Sequence, residues 1–528
     1  MSLQAGAVAA AALILRLRTV GTFETIDEPL WTVRSQVFSD AIIHLHPSKA
    51  SVTAAPTALG GQLATMPGVP TMWLGSLGRL VWAISRSLGI VNGSPKFSQS
   101  TSGLAMGQAA VAAATAVLIG LTVWLVGRWG SPRAGVVAGL FLATEPFWVA
   151  HGSVLHTDEL TALFGLTGLL ALGLVLGVPT FHEGLVHRRW LAVLAAFLLV
   201  CSPLTKISGL AFAPGALVLV GWAVLRAVRN RPHDGDLGAA LRPLAWCLVT
   251  MAITAVVAIV VLWPALWASP SGQIHALRNS VKIGYHERRS FFRGAVRTGG
   301  TPTFFAWALP FRMTPWMLAG LVVGVPVALA RRTTRRAALT LLAATVPVAY
   351  VLSTAGQQLD RYGLLILGPV CAVVGLAATR GPGESVRTAT SARWAVVVGG
   401  VLATVYSLVV APWGMAYYNP LLGGGKEAVE QVPVGWMEGQ EVASRTMQKL
   451  QHGRCDGVTF NGLGFLLVTT RHCGRWTKDM RKATYQAIYV TDRQVMSKRR
   501  YRALTHGRKL VAVVHIRAIP YVELWRRR

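Results

Sequence analysis

Apolar runs of about 17 to 25 residues recur along the chain and constrain its fold more than any other feature of the sequence. Each run is long enough to cross the hydrocarbon core of a bilayer as a helix. Hydrophobic residues make up 53% of the chain and charged residues 14%, whereas about 25% of residues are charged in soluble domains. Continuous runs without apolar–polar alternation exclude a membrane barrel. The sequence therefore predicts a mainly α, polytopic membrane protein.

The runs predict about eleven transmembrane spans. They lie at about residues 5–20, 103–127, 134–150, 159–178, 190–204, 207–225, 243–267, 315–330, 337–353, 363–379 and 394–410. Residues 21–102 and 268–314 are expected to form exterior loops. In the first loop, Arg79 and Arg86 interrupt the apolar stretch 71–88, which predicts helices that lie in the membrane interface.

The distribution of basic residues predicts how the chain is oriented in the membrane. Alternate connections are rich in arginine, with Arg128 and Arg133; Arg188 and Arg189; Arg226, Arg229, Arg231 and Arg242; Arg331, Arg332, Arg335 and Arg336; and Arg380, Arg387 and Arg393. The opposite connections carry few basic residues. We therefore expect the arginine-rich connections in the cytoplasm and the C-terminal segment outside. The Arg- and Ala-rich composition indicates a bacterial host, and hence the inner membrane.

The composition changes after residue 411, where no further run is long enough to span a membrane. Short β-like runs at 457–460, 487–490, 510–516 and 521–525 alternate with a helical stretch at 438–450. We predict a catalytic transmembrane domain over residues 1–411 and a small exterior α/β domain over residues 412–528. Cys455 and Cys473 share this exterior domain, where an oxidising compartment would permit a disulfide.

Two adjacent acidic pairs are unusual in a chain with only 21 Asp and Glu against 51 Lys and Arg. Asp27-Glu28 follows the first span, and Asp158-Glu159 follows the third. Because both pairs fall on the predicted outer face, we interpret them as two sides of one active site. The alternative for the first pair is that it caps a helix opened by Pro29. Glu145, inside the third span, is either a structural acid or part of the cavity.

Basic residues accompany these acids in two places. Arg16 and Arg18 end the first span, where they either snorkel to the interface or contact an anion beside Asp27. Arg288 and Arg289 belong to a basic stretch of the loop 268–314 that is interleaved with aromatic residues. Arginine donates forked hydrogen bonds to phosphate, so this loop is a candidate site for a phosphate-bearing lipid. Attraction to anionic headgroups is the alternative.

A carboxylate near the outer interface can act as general base toward an acceptor hydroxyl. Nearby Arg and Lys can stabilise a phosphate that leaves as a sugar is transferred. This chemistry is glycosyl transfer from a lipid phosphate. Asp27 is the better candidate base, because Glu28 adjoins it and Pro29 is expected to open a helix whose N-terminus keeps a carboxylate ionised.

An ordered series of motifs carries a family resemblance. The series comprises the Asp27-Glu28 pair, His156-Thr157-Asp158-Glu159, Leu204-Thr205-Lys206-Ile207-Ser208-Gly209 and Asp360-Arg361-Tyr362. It resembles the motifs of GT-C membrane glycosyltransferases, in particular the bacterial protein O-mannosyltransferase and aminoarabinose transferase group. Two further segments, 66–75 and 417–424 with 435–439, look like a branch of membrane glycosyltransferases with unassigned substrate.

The resemblance implies an inverting transfer from a polyprenyl-phosphate-sugar donor on the outer face. It implies that Asp27 is the catalytic acid–base residue and that Glu28, Asp158 and Glu159 assist. It also implies that Lys206 and Arg361 lie near the donor phosphate. Our further candidates for binding the donor phosphate are Arg34 and Tyr362, in addition to Arg288 and Arg289. Some relatives bind a divalent metal near these carboxylates, which makes a metal a candidate cofactor.

Other aspects of the function stay open at this stage. Pro29-Leu30-Trp31 replaces the aromatic-rich continuation of the mannosyltransferases, so the hydroxyl acceptor is a protein, a lipid or a cell-envelope glycan. We expect membrane lipids as partners and no nucleic acid. The alternatives to an enzyme are a lipid-linked-substrate transporter or flippase, which would be expected to contain internal repeats, and a non-catalytic lipid-binding protein.

Overall fold

The computed structural model describes residues 3–50, 67–178, 185–229, 237–285, 289–379, 386–462 and 473–528. Arg288 of the predicted phosphate-binding set lies outside these residues. The helices are α1 Leu3–Leu17, α2 Glu28–Ile43, α3 Val69–Ser87, α4 Thr101–Trp129, α5 Pro132–Thr144, α6 Pro146–His151, α7 Asp158–Val175, α8 Leu185–Thr205, α9 Phe212–Arg229, α10 Leu237–Leu262, α11 Pro264–Ala268, α12 Pro270–Tyr285, α13 Phe304–Arg312, α14 Pro315–Ala319, α15 Val325–Ala330, α16 Arg332–Ser353, α17 Leu364–Leu376, α18 Val386–Val410, α19 Gly424–Gln431, α20 Gln440–Leu450, α21 Val490–Val495 and α22 Lys498–Thr505.

The strands are few and short. They are β1 Arg289–Phe292, β2 Ala295–Thr298, β3 Thr459–Asn461, β4 Arg475–Trp476, β5 Tyr485–Tyr489, β6 Arg508–Ile516 and β7 Ile519–Arg527. The first two form an antiparallel hairpin inside the predicted exterior loop 268–314. The prediction of a mainly α chain with a small C-terminal α/β region is confirmed.

Apolar helices make this chain a multi-pass membrane protein. Among the described residues, six helices are long and apolar enough to span a bilayer: Thr101–Trp129, Asp158–Val175, Ile207–Arg229, Leu241–Leu262, Arg332–Ser353 and Thr390–Val410. Shorter apolar helices cover Leu3–Leu17, Pro132–Thr144, Arg189–Thr205 and Pro315–Ala330. Each of these segments coincides with a predicted span. The total of eleven spans stays a prediction.

The predicted exterior loop 21–102 contains α2 and α3, which pack on one another. One face of α3 leaves Leu77, Leu80 and Ile84 about half exposed, while Met72 and Trp82 are buried against the rest of the chain. A helix with one apolar face left uncovered and arginines beside it suits the membrane interface. This arrangement matches the expectation for residues 71–88.

A helix break between α5 and α6 places polar groups at the end of the third predicted span. Glu145 is extended, as expected for the residue before a proline, and Pro146 begins α6. The Glu145 carboxylate accepts hydrogen bonds from the Thr314 backbone N–H, at 3.0 Å, and from the Thr314 hydroxyl. Glu145 is therefore a hydrogen-bonded structural acid, which resolves the alternative left open by the sequence.

The C-terminal region forms a five-stranded sheet of order β4-β3-β5-β7-β6. The β3 strand pairs in parallel with β4 and β5, whereas β7 pairs antiparallel with β5 and β6. The four predicted strands and the predicted helix correspond to β3, β5, β6, β7 and α20. Cys455 and Cys473 are joined by a disulfide. The sheet begins beyond α18, whose last residue, Val410, directly precedes the predicted domain boundary.

Candidate active site

Asp27 lies in the turn between α1 and α2, with 36% of its side chain exposed. Three groups approach its Oδ2 oxygen: Trp436 Nε1 at 3.0 Å, His156 Nε2 at 3.5 Å and Arg361 Nη2 at 3.8 Å. Its side chain makes no capping hydrogen bond to α2. Asp27 therefore occupies the N-cap position of α2 without a side-chain cap. Among the described residues, its Oδ1 oxygen has no hydrogen bond or ion pair.

Asp158 begins α7 and is buried at the centre of a group of cations. Its Oδ1 oxygen accepts a hydrogen bond from Lys206, while its Oδ2 oxygen lies 3.0 Å from Arg361 Nε and 3.1 Å from His156 Nδ1. The helix N-terminus adds a favourable field for the carboxylate. Asp27 and Asp158 thus share His156 and Arg361, so the aspartates of the two predicted acidic pairs lie in one cluster.

Local structure explains how the two cations reach this cluster. Lys206 directly follows α8 and precedes the 3₁₀ turn Ile207–Ala211, and its Nζ lies 4.1 Å from the centre of the Tyr362 ring. Arg361 lies in the 3₁₀ turn Asp360–Gly363, which leads into α17. Asp360 in turn accepts a hydrogen bond from Arg312 Nε at 2.6 Å. This buried ion pair fixes the turn that carries Arg361.

The C-terminal region contributes Trp436 to the cluster. Besides its hydrogen bond to Asp27, the Trp436 ring lies 4.2 Å from the Arg361 guanidinium carbon and 4.7 Å from the His156 ring centre. Its backbone N–H donates to Glu438 Oε2 at 2.5 Å, and Tyr489 donates to the same oxygen at 2.9 Å. A residue more than 400 positions from Asp27 therefore completes its surroundings.

The contacts shift the pKa values of Asp27 and His156 in opposite directions. Burial alone would raise the pKa of Asp27, but the hydrogen bond and charge of His156, with Arg361 and Trp436, lower it to about 2. Burial alone would lower the pKa of His156, but the charges and hydrogen bonds of Asp158 and Asp27 raise it. Each ring nitrogen of His156 faces a carboxylate, which favours the imidazolium.

Glu28 differs from its neighbour, because all its contacts are with the surrounding framework. Its Oε2 oxygen accepts from the Thr25 N–H at 2.7 Å, and its Oε1 oxygen accepts from Gln108 Nε2 and the Leu155 N–H, both at 2.8 Å. It is fully buried, and burial raises its pKa. Glu28 ties the turn before α2 to α4 and to the loop before α7, so its geometry suits positioning of Asp27.

Glu159 and Arg34 also lie in buried surroundings. Glu159 accepts a hydrogen bond from Arg16 Nη2 at 2.5 Å, and both side chains are fully buried. Arg16 therefore contacts an anion, as one alternative held, and that anion is the Glu159 carboxylate. Arg34 lies with its guanidinium carbon 4.8 Å from the Trp31 ring centre, and that ring packs edge-on against His156.

Arg289 of the predicted basic loop lies apart from this cluster in its described contacts. Arg289 is exposed in β1 and donates to the Val495 carbonyl at 3.4 Å. Among the described residues, it makes no contact with Asp27, Asp158, Lys206 or Arg361. Its phosphate-binding role stays a prediction, and Arg288 lies outside the described residues. Tyr362, by contrast, lies in the cluster beside Lys206.

The carboxylates and imidazole of the cluster do not fit a divalent metal in this arrangement. Both Asp158 oxygens already face cationic groups, so a metal ion would have to displace Lys206 or Arg361. In the described part of the chain, no group of three His, Cys, Asp or Glu side chains is arranged to hold a metal ion. No step of the reaction proposed below uses one.

The motif series contains His156, and the segment 435–439 contains Trp436, but the sequence predicts a role for neither residue. The sequence could have predicted a role for His156, because it lies only two residues before the candidate catalytic residue Asp158. Trp436 had no such signal, since only the packing of the C-terminal region against the Asp27 turn brings it there. That packing includes a hydrogen bond from the Glu24 N–H to Glu441 Oε1 at 3.1 Å.

No protein-family model matches the chain, and no curated protein matches it significantly in sequence. Solved structures do match it. The crystal structure of ArnT from Cupriavidus metallidurans bound to undecaprenyl phosphate aligns over 98% of this chain and 97% of its own, with a TM-score of 0.50 and 14% identity. This chain has the GT-C fold. The fold expected from the motif series is confirmed.

Two further GT-C structures are similar to this chain. ArnT from the same organism in the apo state aligns over 98% of this chain and 96% of its own, with a TM-score of 0.49 and 16% identity. The archaeal oligosaccharyltransferase AglB from Archaeoglobus fulgidus, in complex with an inhibitory peptide and a dolichol-phosphate, aligns over 77% of this chain and 56% of its own. Its TM-score is 0.44 and its identity is 12%.

Proposed function

We propose that this GT-C chain is a membrane glycosyltransferase that moves a sugar from a polyprenyl-phosphate donor to a hydroxyl acceptor. The observation that carries the proposal is the contact pattern of Asp27. One oxygen of its half-exposed carboxylate accepts a hydrogen bond from Trp436 and faces His156 and Arg361 at ion-pair distance, which leaves the other free to take a proton. Cations that suit a phosphate lie directly beside it. ArnT, the structure that shares the fold, was crystallised with undecaprenyl phosphate.

The transfer is a single displacement at the anomeric carbon of the donor sugar. The acceptor oxygen bonds to this carbon while its proton passes to Asp27 Oδ1. The bond from the carbon to the phosphate oxygen breaks, and its electron pair stays on the polyprenyl phosphate that leaves. Because attack and departure occur on opposite sides of the carbon, the configuration inverts. His156 and Trp436 orient Asp27 through its other oxygen.

Lys206 and Arg361 are the residues that we assign to the donor phosphate, with Tyr362 beside them. With His156 protonated, three cations face the two carboxylates Asp27 and Asp158, so the cluster has a net positive charge. This charge attracts the donor and stabilises the departing phosphate. A bound phosphate also competes with Asp27 for Arg361. The pKa of Asp27 then rises, which makes it a more effective base.

The remaining predicted residues act through the framework in this proposal. Glu28 positions Asp27, and the Glu159–Arg16 pair fixes α7 against α1 close to Asp158. We assign residues 1–411 to the catalytic membrane domain and residues 412–528 to an exterior domain that completes the site. The site faces the extracytoplasmic side of a bacterial inner membrane, since the arginine-rich connections lie at the opposite ends of the spans.

The decisive experiment compares Asp27→Asn with the wild type in lipid, using radiolabelled polyprenyl-phosphate sugars and measuring release of polyprenyl phosphate. Loss of a general base is expected to slow release by about 10²- to 10⁴-fold. Asp40→Asn is the matched control, because Asp40 lies in α2, is 43% exposed and, among the described residues, forms an ion pair only with Arg79. It should release product at the wild-type rate.

Other outcomes would contradict the proposal. Equal release by wild type and Asp27→Asn would remove Asp27 from the chemistry. Donor binding without release, for every donor and acceptor tested, would favour a transporter or a lipid-binding protein. If Arg289→Gln abolishes transfer while Asp27→Asn preserves it, the exterior basic loop and not the carboxylate cluster carries the function.

A further inference from the structure

A crevice between α9 and α16 lies far from the Asp27 cluster. Its volume is about 490 Å³, and a second pocket of about 170 Å³ adjoins it through Trp222 and Arg336. Apolar side chains line one part of the crevice, which runs along the two helices. They include Val218 from α9 and Leu339 from α16. Leu339 is 51% exposed. The crevice therefore consists of an apolar groove that opens into a region lined by charged side chains.

Arginines surround the mouth of the crevice. Five of them line the two pockets: Arg226, Arg229, Arg332, Arg335 and Arg336. Trp222 lies between two of these, with the Arg336 guanidinium carbon 4.5 Å and the Arg226 guanidinium carbon 5.5 Å from its ring centre. In the described part of the chain, no acidic side chain lines either pocket. Among the described residues, these arginines gather around an aromatic ring with no carboxylate in the pocket lining.

The two helices place this crevice at the membrane face opposite the proposed active site. Lys206 precedes the beginning of α9, and Arg226 lies in its last turn. The 18 residues of α9 rise about 27 Å, which is close to the thickness of the hydrocarbon core. In the same way, Arg332 begins α16, whereas Arg361 follows its far end. A ligand in this crevice therefore belongs to the other leaflet from the proposed donor.

We propose that this crevice is a binding site for an anionic phospholipid, with the phosphate headgroup between Arg226 and Arg336 and an acyl chain along Val218 and Leu339. Arginine binds phosphate oxygens with forked hydrogen bonds, and basic pockets between membrane helices bind lipid headgroups. Charge complementarity favours an anionic lipid over a zwitterionic one. The apolar groove favours a lipid over a free phosphate. This proposal does not depend on the proposed function.

Native mass spectrometry of the purified full chain tests this site, with phosphatidylglycerol and phosphatidylcholine of identical acyl chains as probes. The wild type should retain phosphatidylglycerol more tightly. Arg226→Gln with Arg336→Gln should weaken its binding by about tenfold or more, since each arginine near a lipid surface contributes to the attraction. Arg128→Gln is the matched control, because Arg128 also lies over a tryptophan, Trp124, at 5.4 Å, but lines neither pocket.

A second variant keeps the test valid if the double arginine variant misfolds. Leu339→Trp retains every arginine and fills the apolar groove, so it should also weaken phosphatidylglycerol binding. Glycerol 3-phosphate, which lacks acyl chains, should not compete. Unchanged phosphatidylglycerol binding in both variants would overturn the proposal, as would equal retention of phosphatidylcholine by the wild type. Loss of binding in Arg128→Gln as large as in the double variant would also overturn it.

Discussion

At the scale of single residues, His156 is the side chain that joins the two acidic motifs. Its Nε2 faces Asp27 and its Nδ1 faces Asp158, at 3.5 Å and 3.1 Å. A neutral imidazole has a lone pair on one nitrogen, which would then oppose a carboxylate. The cluster is therefore complete only when His156 carries both protons. The raised pKa of His156 has the same cause.

This arrangement predicts that sugar transfer falls as the pH rises. Because the pKa of His156 is raised above its ordinary value of about 6.5, its charge persists to higher pH than that of an ordinary imidazole. We expect an alkaline limb in the pH profile of transfer, displaced to higher pH than the titration of an ordinary imidazole. His156→Gln should lower the rate at neutral pH and remove this limb, while His151→Gln should retain it. An unchanged limb in His156→Gln would contradict the assignment.

Trp436 combines two contacts that substitution can separate. Its N–H holds Asp27, and its ring face holds Arg361. Trp436→Phe keeps a ring face and loses the N–H, so we expect kcat to fall about tenfold while KM for the donor stays the same. Trp436→Leu loses both contacts, so KM should rise as well. Steady-state kinetics with a polyprenyl-phosphate sugar measure both values, with Trp413→Phe as the control.

A merely structural role for Trp436 would give a different result. Both variants would then lose activity in proportion to the loss of folded protein, with no separation of kcat from KM. Trp413 lies in the same aromatic surroundings, stacked on Phe23 at 5.8 Å, but it makes no contact with Asp27. The change in kcat and KM of Trp413→Phe therefore measures the effect of altered aromatic packing alone.

At the scale of elements, the sequence predicted what depends on local composition. Apolar runs predicted the helices, and β-like runs predicted the sheet. The backbone conformation of residues 435–439 could not be predicted from the sequence, because it depends on tertiary contacts. Gly435, Met437 and Gly439 have φ values of 100°, 78° and 85°, which is strained for methionine. Glu438, held by Tyr489, keeps this shape and thereby places Trp436.

The contacts of buried charged side chains could not be predicted from the sequence either. Arg16 ends the first span as a snorkelling residue would, yet it lies fully buried against Glu159, 143 positions away. Glu28 adjoins Asp27 in sequence, but its side chain points to Gln108 and Leu155. Adjacent residues at a helix start point in different directions, so pairing of acids in sequence does not give pairing in space.

At the scale of the whole molecule, the proposed active site and the proposed lipid site lie at two chemically distinct ends of the helices. Asp27, Asp158 and Trp436 of the C-terminal region lie at one end, and the arginines at the end of α9 and the start of α16 lie at the other. Basic connections favour the cytoplasm, and carboxylate clusters do not. We therefore propose that sugar transfer takes place on the face away from the cytoplasm, with the proposed exterior domain covering the site.

Cysteine labelling in intact cells tests this orientation. Lys498→Cys, exposed at the start of α22, should react with a membrane-impermeant maleimide. Thr333→Cys, exposed at the start of α16, should react only after permeabilisation. The wild type gives the background, since Cys201 and Cys371 are buried, Cys247 is half-buried, and Cys455 and Cys473 are paired. The reverse pattern would place the Asp27 cluster in the cytoplasm, where the donor would have to be presented from the other leaflet.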